Sequence, residues 1–183
     1  MIRLAVLCLL AAAPAAAENL CGAGPDAFAR LDGAWTAEPK LSLENEVLSE
    51  IRAPGPETLT LEDGTLASDL IDGLLGAPVP LVPSDAPVYD VDAVDDLLDT
   101  TEHADLADVL SDTLCGPEAL PQAVATIEVD GGIGVEGGIG VEGTITLIAY
   151  FDDRLLELTE LQVTSDETVV FLTRTALLEP AAR

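Results

Sequence analysis

The chain has 183 residues, with 34 Asp and Glu against seven Lys and Arg, a formal net charge of −27, one His, three Cys and six aromatic residues. So few scattered cations cannot displace the counterions of a phosphate backbone, which excludes nucleic acid as a partner. Past residue 17 no apolar run approaches the ~18 residues of a membrane-spanning helix, so no membrane span is expected.

Met1 to Ala17 reads as an export signal, with Arg3 as its positive start, Leu4 to Ala13 as its apolar stretch and Ala15-Ala16-Ala17 as a small-residue cleavage site. Loss of Arg3 takes the net charge to −28, and the remaining chain, 18–183, is long enough for one exported domain, periplasmic or secreted. Cys8 leaves with the signal, so Cys21 and Cys115 are the remaining pair, and in an oxidising compartment a Cys21–Cys115 disulfide is expected.

Residues 24–33 (GPDAFARLDG) fit one short helical turn with Pro25 at its first position and Gly33 at its end. Leu41 to Ile51 follows neither the helical nor the strand period. Glu57 to Glu62 alternates up to Asp63-Gly64 and predicts a small hairpin with Thr65-Leu66. A helical and Pro-rich insert is expected over about 66–122. Leu66 to Leu75 suits a short helix, while Pro78, Pro80, Pro83 and Pro87 predict an extended run over the surface at 77–87. Val91, Val94, Leu97 and Leu98, then Leu106, Val109, Leu110 and Leu114, predict two short helices ended by Gly116-Pro117.

A β meander is expected over about 123–178. Ile127, Val129, Ile133, Val135, Ile139, Val141, Ile145, Leu147 and Phe151 all fall on odd numbers, with Glu and Thr between them. Within this stretch GGIGVE occurs twice in tandem, at 131–136 and 137–142, and an even-length unit leaves every later side chain on its original face. The run is too long to stay straight in a domain of this size. A three-residue loop at 136–138, setting Val135 opposite Ile139, is the favoured turn. Asp152-Asp153-Arg154 and Ser165-Asp166-Glu167 predict the next two turns, and the unbroken apolar run Val169 to Leu172 predicts a strand buried on both faces.

Few residues carry recognisable chemistry. His103 stands between acidic neighbours with no nucleophile motif in the chain, so no catalytic residue is assigned and no enzyme is expected; with 34 acids, a carboxylate pair for hydrolysis is available at almost any separation, and a carboxylate-dependent hydrolase stays open as an alternative. Asp90, Asp92, Asp95 and Asp96 form the best candidate for a metal, calcium, and support the alternative of a calcium-stabilised interaction protein, although the EF-hand order is not met and an acid-rich helix start explains them as well. One His and two distant Cys make no zinc site. No cofactor is expected. The acidity itself reads either as a surface suited to salty surroundings or as complementarity to a basic partner.

Gly33-Ala34-Trp35, following a short helical turn, resembles the G-x-W opening of lipocalins and the wider calycin group of small β-barrels. The resemblance implies a tryptophan that closes one end of a barrel, with Arg174, near the last strand, packed across Trp35 in a cation–π contact. The expected fold is therefore mainly β, a single antiparallel barrel or strongly curved sheet with a short helical insert. The expected function is a non-catalytic binding or structural module. Its face formed by Ile133, Val135, Ile139, Val141, Ile145 and Leu147 is either plain core or the lining for an apolar small molecule or a protein partner.

Overall fold

The computed structural model describes residues 17–84, 115–116, 119–129, 139–165 and 168–182. The two helices expected between 91 and 114, with His103, lie outside these residues, as do Asp90, Asp92, Asp95, Asp96, Ile133 and Val135. After a 3₁₀ turn at Pro25–Arg30 come β1 (Gly33–Glu44), β2 (Ser49–Arg52), β3 (Glu57–Glu62), β4 (Thr65–Ser68), α1 (Asp69–Leu75), β5 (Val79–Pro80), β6 (Val82–Ser84), β7 (Gln122–Val129), β8 (Gly140–Phe151), β9 (Arg154–Thr164) and β10 (Val169–Pro180). All pairings are antiparallel and run β5-β4-β3-β1-β10-β9-β8-β7-β6, with β2 on β1 beyond the end of β3. Only Leu81 separates β5 from β6, so one segment of chain joins the two ends of this order and the sheet is a nearly closed antiparallel barrel.

Local chemistry accounts for each turn. Asp63 and Gly64 both take positive φ, +50° and +73°, as the two-residue turn between β3 and β4 requires. The Ser68 hydroxyl accepts from the Ile71 N–H and starts α1 at residue 69, three residues later than the apolar pattern suggests, because 65–68 is claimed by pairing with β3. The ambiguous stretch 41–51 resolves into a hairpin: Asn45 Oδ1 accepts from the Val47 and Leu48 amides at 2.8 and 2.6 Å and turns the chain from β1 into β2.

Two expectations about the proline-rich segment need correction. It is extended, but it is part of the barrel wall and not a surface strap: Val79 and Leu81 are buried while Pro80, Val82 and Pro83 face outward. The prolines act by keeping β5 and β6 to two and three residues, so the closing strand pairs only briefly on either side. Residues 65–84 therefore belong to the barrel and not to an insert.

Among the described residues, the odd-numbered row of the meander faces inward as its alternation implies. Ile127, Val141, Ile145 and Leu147 are buried in the main core, with Val129 and Ile139 packed against it. The register between β7 and β8 sets Val129 opposite Val141, whereas a three-residue loop at 136–138 would bring Val129 opposite Ile145. The register is therefore shifted by four residues from the expected one, and residues 130–138 themselves lie outside the described ones. The difference of four residues is even, so the inward row is unaffected. The phase breaks only at a bulge after Ala149, which turns Phe151 to the outside. Gly143 is where β8 presses closest on β9: its φ is +154°, and a Cβ there would lie 2.0 Å from the Glu160 carbonyl oxygen.

A second apolar cluster, Leu120, Ile148, Tyr150, Leu156 and Leu158, occupies the opposite face of β8 and β9, with Leu177 of β10 against it. The expected Cys21–Cys115 disulfide sits in this outer cluster and ties residue 115 to the start of the fold, its Cα atoms 5.9 Å apart. The expectation for Val169 to Leu172 does not hold. Val169 and Phe171 are 40 % and 53 % exposed, and only Val170 and Leu172, on the inward row, are half-buried. The outer cluster stops short of that end of β10.

Candidate functional site

The barrel has two unlike ends. At one, the 3₁₀ turn packs Phe28, with Leu20 and Leu31, into the same core as Trp35, whose indole N–H donates to the Leu31 carbonyl at 3.1 Å. At the other, β3 begins only at Glu57, opposite Ala37, and β6 meets β7 only as far as Val124, so β1, β10, β9, β8 and β7 run on without the short strands. There the described sheet is β2-β1-β10-β9-β8-β7, a trough that no described strand closes. On its inward rows Leu41, Leu43, Leu172, Val163, Ile139 and Val129 are half-buried while Ile127, Leu161 and Val141 stay buried, whereas the inward apolar residues of the closed part are buried throughout.

Arg174 lies at the boundary between the two. It is on the inward row of β10, directly opposite Thr159 of β9 and Leu41 of β1. Its Nη2 donates to Glu157 Oε2 at 3.0 Å and to Glu57 Oε1, which it reaches across β1. The Thr159 hydroxyl donates to the other oxygen of Glu157 at 2.7 Å. Arg174 and Glu157 are buried, Glu157 to within 1 % of full burial, and Arg174 Nε makes no hydrogen bond among the described residues.

One guanidinium thus faces two carboxylates inside the protein. Its single charge is shared between them, which leaves the fully buried Glu157 only partly compensated in low dielectric. Burial pushes the Glu157 carboxyl above the ordinary carboxylate range, an effect that Arg174 and Thr159 offset only in part. Arg174 stays protonated, held up mainly by the adjacent Glu157 and Glu57 against its own burial.

The residues singled out from the sequence are distributed as follows. Ile145 and Leu147 are core in the closed part, Val141 is buried where the trough begins, and Ile139 is half-buried beyond it. Trp35 and Arg174 both lie on inward rows but are not brought together. Trp35 pairs with Pro180, six register positions from Arg174, about 20 Å along the strand. The guanidinium engages Glu157 and Glu57 in place of the indole. Among the described residues no group of three or more His, Cys, Asp and Glu is disposed to hold a metal ion, and no helix is long and apolar enough to cross a membrane.

Sequence reasoning missed Glu57 and Glu157, although a signal existed. Glu57 shares the odd row of β3 with Leu59 and Leu61, and Glu157 that of β9 with Leu155 and Leu161. A row that is apolar on both sides of Glu157, or that leads on from Glu57, places that Glu inside, where a cation on a neighbouring inward row can accompany it. Comparison with family models, with curated proteins and with solved structures finds no match to this chain.

Proposed function

We propose that this protein is an exported, non-catalytic binding module, periplasmic or secreted, built on a lipocalin-like barrel that takes an apolar small molecule at its open end. The observation that carries this reading is the set of half-buried apolar side chains on the inward rows of the trough, Leu41, Leu43 and Leu172 on the β1–β10 side with Val163, Ile139 and Val129, beside the buried Ile127, Leu161 and Val141. Apolar side chains on a concave, partly wet surface are what a ligand of that class displaces water from. The disulfide supports the exported compartment. A hydrolytic role for Glu57 and Glu157 is disfavoured because the carboxyl with the raised pKa is sealed from any substrate.

Titration with the neutral, apolar fluorophore N-phenyl-1-naphthylamine tests the reading, since an anionic probe would be repelled by the acidic surface. Saturable enhancement that falls at least fivefold in both Leu43→Gln and Leu172→Gln is expected. No saturable signal, or binding indifferent to both variants, refutes the site. Native mass spectrometry of freshly purified protein would identify a retained ligand.

A further inference from the structure

Phe171 is one of six aromatic residues in the chain and the only one of the described aromatics that is more than half exposed. It does not sit on a sheet edge, where an exposed side chain is common, but on the outer face of β10, paired with Glu44 of β1 on one side and Gln162 of β9 on the other. A hollow lies on each side of the ring. The first, about 770 Å³, is edged by Glu44, Glu46, Val47 and Val169. The second, about 430 Å³, is edged by Glu142, Glu160 and Thr173, and Phe171 and Gln162 line both. Val47, 96 % exposed, and Ile51 extend the apolar surface toward β2.

None of the four carboxylates has an ion-pair partner among the described residues. Lys40, on the same outward row of β1, makes no ion pair with them, and Arg52 of β2 is on the inward row, where Glu50 takes it at 2.8 Å. An exposed aromatic ridge between two unpaired pairs of carboxylates has one complementary partner chemistry, an apolar or guanidinium group over the ring flanked by two cations. A second copy of the chain, at a net charge of −27, is repelled, and so is an anionic membrane.

We infer that the outer face of β10 around Phe171 docks an extended basic segment of another protein, carrying Lys or Arg on both sides of an apolar residue. This surface is on the opposite side of the sheet from the trough, so it stands or falls separately from the apolar-ligand reading. Geometry sets the spacing. Glu44 on β1 and Glu142 on β8 are three strands apart in one register row, about 14 Å at ~4.8 Å per strand. An extended peptide laid across the strands covers that distance in about four residues at ~3.3 Å each. The two cations are therefore expected at positions i and i+4, with the apolar residue between them.

The test is a set of fluorescein-labelled peptides in which two lysines flank one leucine in a serine background, at separations from two to six, titrated at low salt by fluorescence anisotropy. Tightest binding at a separation of four is expected. At least a fivefold loss is expected in Phe171→Ser and again in Glu44→Gln/Glu142→Gln, with unchanged melting temperature in both. Affinity that does not vary with lysine separation, that survives both variants, or that spermine matches would overturn the inference, because each shows binding to net charge alone. Sedimentation of the protein by itself is expected to give a monomer. A dimer abolished by Phe171→Ser would assign the patch to self-association and overturn it as well.

Discussion

The closed and open halves of the barrel share strands and alternation, yet among the described residues only one of them is closed by further strands. β1, β8, β9 and β10 pass through both. In the closed half, β3 to β6 stand opposite them and the inward row is buried: Leu59, Leu66, Leu147 and Leu155 are all within 1 % of complete burial. In the open half nothing described takes the place of the short strands, and on the β1–β10 side inward residues of the same type, Leu43 and Leu172, are only half-buried, while Leu161 and Ile127 in the same register row stay buried. A periodic pattern specifies the direction of a side chain, but burial needs a second surface to meet it. The Arg174 cluster lies where β3 begins, since Glu57 is the first residue of that strand.

The largest effect expected from breaking this arrangement is at Arg174. Arg174→Met leaves Glu57 and Glu157 without their cation and should cost about 3–5 kcal/mol in urea denaturation. Combining it with Glu57→Gln and Glu157→Met should recover more than half of the loss, since removing a whole buried ionic cluster costs far less than removing one member.

The contrast between the halves is sharpened by two truncations of the same chemistry. Leu147→Ala, in the closed half, should cost about 2–5 kcal/mol, and Leu43→Ala, in the trough, about 1 kcal/mol or less. Equal costs would mean that the trough is as tightly packed as the barrel. The outer face is probed by Cys21→Ser/Cys115→Ser. It should lower stability by about 2–4 kcal/mol, by freeing the 94-residue separation in the unfolded chain and loosening the cluster on β8 and β9.

The smallest effect is a pH slope. Glu157 has its folded-state pKa raised, so between the unfolded value and the folded one the native protein binds a proton that the unfolded chain does not. Its contribution is present in full below the unfolded pKa, near 4.3, and declines as pH rises through the folded pKa, at up to ~1.4 kcal/mol per pH unit. Self-repulsion of the acidic surface changes in the same direction. The measurement is therefore the difference between the wild-type protein and Glu157→Gln, whose melting temperature should fall less steeply from pH 4.5 upward. Parallel curves would show that the carboxyl titrates normally.

Much of this architecture could be read without coordinates, and the reasons are local. Val–Glu and Leu–Thr alternation orients the strands, Asp63-Gly64 and Asp152-Asp153 turn them, and once Cys8 is read as part of an export signal, Cys21 and Cys115 are left to each other. The Arg174 cluster was only half available. Parity put Arg174, Glu57 and Glu157 inside, but their meeting depends on β10 and β3 flanking β1, which is a matter of strand order.

The row Val169 to Leu172 marks the limit. A run of apolar residues specifies two oily faces, and hydrophobic pattern alone cannot say whether anything lies against either. For Ile148, Tyr150, Leu156 and Leu158 the outer face found a cluster to join, and for Phe171 it did not. Side-chain direction follows from backbone geometry a residue at a time. Which surfaces meet is set by contacts between segments far apart in the chain, and that is why the barrel's closure, its open end and its exposed aromatic emerged only once the strands were assembled.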